Sequence, residues 1–215
     1  MIVTERTTLA RHPERGSYDQ DVVYRILDEA LICHVAFVAG GQPVVIPTLF
    51  ARVDDTLYIH GSAIGRMLRT LAGGVEVCVN VTLLDGVVFA RSAFSHSMNY
   101  RSVAVFGCAR EVTDPAEKIR ALEATVEHVA RGRWDDARRP SANELAATTV
   151  VAVPLGEASA KIRNGGPKDH EADYALPIWA GVVPLRLQAE APEPDARNLP
   201  TVAAPPYARS YSRTR

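Results

Sequence analysis

Residues 58–71, YIHGSAIGRMLRTL, constrain the fold of this chain more than any other stretch. Tyr58 and Ile59 belong to a predicted β-strand, in which successive side chains point to opposite faces. Beyond a short turn the apolar period changes from two to three and four, as on one face of a helix: Ile64, Met67, Leu68 and Leu71. The stretch therefore predicts a strand that turns sharply into a helix.

The turn between this strand and helix has the chemistry of an anion site. Gly61 and Ser62 form the predicted turn, and Ser62 is placed where a helix N-cap is expected. The first backbone N–H groups of a helix lack partners within the helix, and they favour an anion. Arg66 adds a cation that binds phosphate well. The stretch alone supports two interpretations equally, a phosphate cradle or an ordinary strand–turn–helix with a surface arginine.

The rest of the chain predicts short antiparallel strands with a few helices. Residues 20–31 form a predicted amphipathic helix, and a second helix begins after Asp114, its cap. Asp85–Gly86 is a hairpin signal, and Pro47 marks a sheet edge or a bulge. Predicted strands cover residues 33–38, 43–52, 56–60, 75–83, 87–91, 99–112, 148–153 and 158–163. This pattern favours a mainly β fold, a small antiparallel barrel with helices packed outside it, over βαβ alternation.

Three segments are expected along the chain. Residues 1–16 look like an N-terminal arm, residues 17–165 form the predicted barrel domain, and residues 166–215 form a proline-rich extension. The extension still carries apolar residues between positions 174 and 187, Trp179 among them. Because such residues are not left in water, we expect the extension to dock on its own body or on a second subunit.

Composition excludes several function classes. The net charge is −1 and the sequence pI is about 6.6, so no overall charge favours nucleic acid or an acidic membrane. Three widely spaced cysteines support neither a disulfide framework nor a metal site. The polar N-terminus is unlike a signal peptide, and no apolar run approaches the ~18 residues of a membrane span. A cytoplasmic protein is expected.

Four sequence pieces together resemble a known family. In order along the chain they are PVVIP at 43–47, HGSAIGR at 60–66, YRSV with a following FG within 100–107, and SAKIRNG at 159–165. The chain resembles the flavin-nucleotide-binding, pyridoxamine 5'-phosphate oxidase-like family with the FMN-binding split β-barrel fold, and within it the nitroimidazole-reductase-like branch. The resemblance implies a homodimer with two FMN sites at the subunit interface.

The resemblance also implies which residues contact FMN. One group lies beside the isoalloxazine ring: Ile46, Pro47 and Thr48. A second group serves the ribityl and phosphate end: His60, Gly61, Ser62, Gly65 and Arg66. The remaining residues line the site from neighbouring strands or the other subunit: Tyr100, Arg101, Ser102, Lys161 and Arg163. His60 is the catalytic candidate, since an imidazole protonates products near neutral pH; a strand-end histidine satisfied by backbone is the alternative.

Two departures from the family argue against pyridoxamine phosphate oxidation. Met67 stands where those oxidases commonly have lysine, and no Arg-x-His pair occurs in the chain. The sequence then predicts a flavin-dependent oxidoreductase that reduces a small organic molecule with electrons from a nicotinamide nucleotide. The alternatives are a non-catalytic flavin store or sensor, or the same fold with FAD, deazaflavin or haem. For haem, three histidines are candidate ligands: His34, His60 and His96.

Overall fold

A computed structural model describes residues 1–213, which are folded mainly as antiparallel β-structure. The strands are β1 Gly16–Ser17, β2 Ile32–Ala39, β3 Gln42–Leu49, β4 Ala51–Val53, β5 Thr56–Ser62, β6 Glu76–Phe89, β7 Ser97–Cys108, β8 Arg110–Glu111, β9 Thr148–Pro154, β10 Glu157–Arg163 and β11 Gly181–Pro184. The helices are α1 Gln20–Glu29, α2 Arg66–Ala72, α3 Pro115–Val129, α4 Arg133–Asp136, α5 Ala142–Ala147 and α6 Pro206–Arg209. Short 3-10 helices cover Pro13–Arg15, Ala93–Ser95 and Glu171–Ala175.

The strands form two sheets. The larger sheet has the order β1-β10-β7-β6-β2-β3, with β11 paired to the far half of β6, and the smaller has the order β4-β5-β9-β8. All pairs are antiparallel. This confirms the predicted mainly β, antiparallel fold with a few helices.

One apolar core joins the two sheets. Alternate residues of β2, β5, β6, β7, β9 and β10 point into it, together with α1 and the inner side of α2. Leu27, Phe50, Ile59 and Leu71 are among its fully buried members. The period-two and period-3.6 patterns of the sequence therefore specify the faces that meet here.

Several predicted elements are confirmed with small shifts. The first helix ends at Glu29 rather than residue 31, because Ala30 is already extended (φ −74°, ψ 143°). Pro47 lies in β3, which is an edge strand, as expected. The long strand predicted over 99–112 divides at Ala109, since β7 belongs to the larger sheet and β8 to the smaller.

The hairpin predicted at Asp85–Gly86 is wrong. β6 continues through these residues, with a register shift between Leu84 and Gly86 that marks a bulge. A Cβ at Gly86 would lie 3.0 Å from Val182 Cγ1 and 3.1 Å from the Val183 carbonyl oxygen. Glycine is thus needed because β11 approaches the bulge closely.

The C-terminal extension docks on its own chain through β11, whereas Trp179 does not bury itself. Val182 pairs with Val88 in the β11–β6 ladder. Trp179 lies 5.9 Å from Phe89 between ring centroids and stays 67% exposed. The last two residues of the extension, 214 and 215, lie outside the described part. No helix within residues 1–213 has the length and apolar character of a membrane span.

Candidate functional site

The turn from β5 to α2 leaves the N-terminus of α2 without a side-chain cap. Gly65, not Ser62, is the N-cap residue, so the prediction for Ser62 is wrong. Ser62 is instead the last residue of β5, and its carbonyl oxygen accepts from the Gly65 N–H at 2.9 Å. Ile64 was expected on the buried face but is 83% exposed, because it precedes the helix. The first N–H groups of α2 are therefore open to an external acceptor.

Two glycines make this turn compact. A Cβ at Gly61 would lie 2.9 Å from Leu68 Cδ2, and a Cβ at Gly65 would lie 3.0 Å from the Ser62 carbonyl oxygen. Gly65 has an ordinary φ of −67°, so space rather than backbone conformation requires glycine there. Both glycines let α2 fold back against the strand that carries it.

Arg66 is the first residue of α2 and is exposed. Within residues 1–213 no carboxylate lies within ion-pair distance of its guanidinium. α2 has only seven residues, so the open N–H groups at its start attract an anion modestly, and the charge of Arg66 adds to that attraction. The structure thus brings together Gly61, Ser62, Gly65 and Arg66.

His60 does not join this group, although it precedes Gly61 in the chain. Ile59 and Gly61 face the core and α2, whereas His60 points to the opposite face of β5. It lines a separate cavity of about 310 Å³, together with α3 residues Leu122 and Val126 and with Trp134. Within the described residues its Nδ1 is buried without a hydrogen-bond partner, and burial lowers the pKa of this histidine.

The predicted residues of the larger sheet divide between its two faces. Directly paired residues of a ladder share a face. The face away from the core can be followed from strand to strand through the pairs His34–Pro47, His34–Asn80 and Asn80–Ala104, and then through the pairs that β10 forms with β7. Five predicted residues lie on this face: Pro47, Tyr100, Ser102, Lys161 and Arg163. We call this the outer face. Ile46, Thr48 and Arg101 point to the inner face.

Arg101 is fully engaged in ion pairs. Its guanidinium donates to Glu29 at 2.8 Å and to Asp85 at 2.8 and 2.9 Å. The hydrogen bonds that Arg101 donates to Glu29 and then to Asp85 raise the pKa of Arg101 above its usual range. This arginine joins the end of α1 to the β6 bulge, so its contacts here are structural.

Arg163 and Lys161 have neutral partners. Arg163 is only 9% exposed and donates to the Asn99 side-chain oxygen and, at 3.3 Å, to the Gly166 carbonyl. Burial lowers the pKa of Arg163. Lys161 reaches the Arg11 carbonyl at 3.5 Å. Two cations that have no carboxylate partner within residues 1–213 therefore lie on the outer face, Arg163 beside Tyr100 and Lys161 beside Ser102.

Sequence reasoning missed Asp169. Its carboxylate has no exposed surface and accepts from the Arg91 and Ser92 backbone N–H groups at 3.0–3.1 Å and from the Arg91 guanidinium at 3.3 Å. It ties the extension to the loop that precedes β7. No local signal reveals this role, because the partners lie more than seventy residues away. Among residues 1–213 no group of three or more potential ligand side chains is placed to hold a metal ion.

Comparison with known proteins identifies the family. The family model described as pyridoxamine 5'-phosphate oxidase matches residues 19–162. The flavocytochrome Anf3 from Azotobacter vinelandii is 42% identical, covers 95% of each chain and superposes with a TM-score of 0.90. An FAD- and haem-binding protein from Mycobacterium smegmatis is 38% identical over 91% of this chain and 96% of its own, with a TM-score of 0.87.

A candidate 5-nitroimidazole antibiotic resistance protein from Bacteroides thetaiotaomicron is 25% identical over 68% of this chain and 86% of its own, with a TM-score of 0.57. The comparison with curated proteins found no match. The family resemblance is thus confirmed, and two structures are more similar to this chain than the nitroimidazole protein is. With a family model that matches well over half of its length, the chain belongs to the pyridoxamine 5'-phosphate oxidase-like family.

Proposed function

We propose that this protein is a flavin-nucleotide-binding redox protein. The observation that carries the proposal is the likeness to the flavocytochrome Anf3, because 42% identity extends over 95% of both chains. Relationship alone does not establish a function, so the residues of the site must support it independently.

The β5–α2 turn supports the binding of a flavin phosphate. Arg66 is exposed and unpaired within the described residues, the N–H groups at the start of α2 are uncapped, and Gly61 and Gly65 keep the turn compact. In this proposal a phosphate accepts from those N–H groups and from Arg66. Arg101, by contrast, stabilises the fold through its ion pairs with Glu29 and Asp85, and we do not assign it to the cofactor.

Residues 46–48 support the ring end of the proposed site. They lie on the edge strand β3, whose outward backbone groups have no strand partner within the described residues. Such groups hydrogen-bond a planar heterocycle laid along the edge. The flavin, when bound, supplies the electron-transfer chemistry, and this chain's residues bind and orient it.

FMN is the flavin proposed first, because the turn offers a grip for one phosphate group. FAD is the second candidate, because the relative from Mycobacterium smegmatis is named for FAD. Flavin released by heating the purified protein and identified by mass distinguishes them. Recovery of FAD alone would replace FMN, and recovery of neither flavin, before or after reconstitution, would contradict the proposed function.

A haem beside the flavin is proposed on the same relationship, since both highly similar structures are named as a flavocytochrome or as haem-binding. The absorption spectrum of the purified protein tests it. We expect a flavin band near ~450 nm and a Soret band near ~410 nm, as is usual for these cofactors. Flavin bands without a Soret band would leave a simple flavoprotein.

We further propose reduction of a small organic molecule with electrons from a nicotinamide nucleotide. Steady oxidation of NADH or NADPH in the presence of an electron acceptor supports this activity. Flavin reduction by dithionite but no turnover with any nicotinamide would favour the alternative, a flavin store or sensor. Met67 and the missing Arg-x-His pair still argue against pyridoxamine phosphate as substrate.

A cytoplasmic homodimer is the proposed assembly. The outer face carries large apolar side chains that are 40–61% exposed: Ile32, Val38, Val45, Leu49 and Leu84. Such a contiguous surface is typical of an interface. A mass measured by light scattering at that of two chains supports the dimer, and a monomer at micromolar concentration would contradict it. Cell fractionation tests the location.

A further inference from the structure

Six histidines are present, and any of them could in principle bind the proposed haem. A choice among them rests on the haem in the proposed function. An axial histidine needs one ring nitrogen free to bind iron, and it usually donates its other N–H to a carbonyl or carboxylate. The six can be compared on that requirement.

His96 meets it. It is exposed, and its Nδ1 lies 3.0 Å from the Ser92 carbonyl oxygen. A carbonyl oxygen only accepts, so Nδ1 carries the hydrogen in this contact. In the neutral ring Nε2 then keeps a free lone pair. The backbone contact thus fixes both the tautomer and the direction of the ring.

The surroundings of His96 suit a flat apolar macrocycle. Its ring packs edge-on against Phe89, with centroids 5.8 Å apart. Phe94, two residues before it, is 90% exposed, and Trp179, which contacts Phe89, is 67% exposed. A cluster of large aromatic side chains left in water marks a binding surface.

The loop that carries His96 is held in place without a ligand. The buried carboxylate of Asp169 accepts from the N–H groups of Arg91 and Ser92. The Ser92 hydroxyl accepts from the Phe94 N–H at 3.2 Å, and its carbonyl holds His96. Two successive contacts therefore connect Asp169 to the ring of His96.

The other histidines fit less well. His128 and His12 also have a hydrogen-bond partner, the Ala30 carbonyl and Glu14, but among the described residues neither lies beside exposed aromatic rings, and the His128 ring packs on the buried Phe50 with centroids 5.2 Å apart. His60 lines a cavity of about 310 Å³, at the small end of ligand pockets, and its buried Nδ1 lacks the partner that fixes a ligand ring. Among the described residues, the rings of His34 on the outer face and of the exposed His170 make no hydrogen bond that would orient them.

We propose that His96 is the axial ligand of the haem, with Phe89, Phe94 and Trp179 covering one side of the macrocycle. Asp169 and Ser92 are positioning residues for it. The sequence alone named His96 as one of three candidate haem ligands, with His34 and His60, and did not distinguish among them.

The test compares haem content in variants purified from hemin-supplemented cells. We expect His96→Ala to lower the haem-to-protein ratio at least tenfold, measured as the pyridine haemochrome, while the flavin-to-protein ratio stays at the wild-type value. Imidazole added to the variant with hemin is expected to restore a Soret band. His34→Ala is the matched control and should keep its haem.

Three results would overturn the assignment: full haem in His96→Ala, loss of haem in His60→Ala with retention in His96→Ala, or a wild-type protein that takes up no hemin. Unchanged flavin bands in each case would leave the flavin part of the proposed function standing. Loss of flavin from the wild-type protein is the separate result that contradicts that part.

Discussion

Replacing Arg66 with alanine tests whether the β5–α2 turn holds a flavin phosphate. A hydrogen bond to a charged group contributes about 1.5–3 kcal/mol. Because Arg66 is exposed and water competes for it, we expect the lower part of that range, about 1.5–2 kcal/mol. That loss corresponds to a dissociation constant raised by about ten- to thirtyfold.

The assay is a titration of flavin-free protein with FMN, followed by quenching of flavin fluorescence. Raising the ionic strength should reduce the difference between wild type and Arg66→Ala, because salt screens an exposed charge. Arg69→Ala is the matched control, since Arg69 is exposed in the last turn of the same helix. It should change the dissociation constant by less than about threefold.

Equal FMN affinity in wild type and Arg66→Ala would refute the reasoning. An equal loss in Arg69→Ala would also refute it, because that result would indicate a diffuse positive field rather than a contact at the helix N-terminus. The stability of each variant, measured by urea unfolding, shows whether a lost affinity comes from the fold instead.

Three further predictions follow from the same contacts. Gly65→Ala should destabilise the protein by about 1–2 kcal/mol in urea unfolding and weaken flavin binding, because its Cβ meets the Ser62 carbonyl oxygen at 3.0 Å; Gly166→Ala, with open space around it, is the control and should change neither. His60 has a lowered pKa in the folded state, so the unfolded chain protonates first as the pH falls below about 6.5 and stability decreases there; His60→Leu should lose less stability between pH 7 and pH 5, and an equal loss would contradict this. Asp169→Asn should speed amide exchange at Arg91 and Ser92 about tenfold without global unfolding, and unchanged exchange would show that its carboxylate does not hold that loop.

Local patterns predicted most of the fold because they depend on neighbours in the sequence. Asp19 caps α1 by accepting from the N–H groups of Asp21 and Val22, and the alternation in residues 75–83 places every second side chain in the core. The prediction of a turn at Asp85–Gly86 was wrong because the geometry there depends on a distant part of the chain. That part is β11, which pairs there from nearly one hundred residues further along the chain.

The site was harder to predict than the fold because a residue type does not reveal its partners. Arg66 and Arg101 looked alike as phosphate ligands in the sequence, yet Arg101 is held by Glu29 and Asp85 from two distant elements. His60 and Gly61 are neighbours, but strand alternation sends them to opposite faces. The register of a sheet, which no single-sequence pattern fixes, decides such questions.

Function in this chain is indicated by groups that lack a partner among the described residues, more than by residue types. An arginine without a carboxylate partner in residues 1–213 and an uncapped helix start form hydrogen bonds with water in the free chain, and a ligand can replace that water. An exposed aromatic cluster leaves apolar surface in water, which a ligand can cover. Arg66 and the open end of α2 suit an anion. His96 and its aromatic neighbours suit a planar ligand whose metal is coordinated by a ring nitrogen. These are different chemistries on different elements, α2 and the loop before β7. A flavin mononucleotide suits only the site at α2. Substitution of Arg66 should therefore lower flavin binding without changing haem content, and substitution of His96 should lower haem content without changing flavin binding.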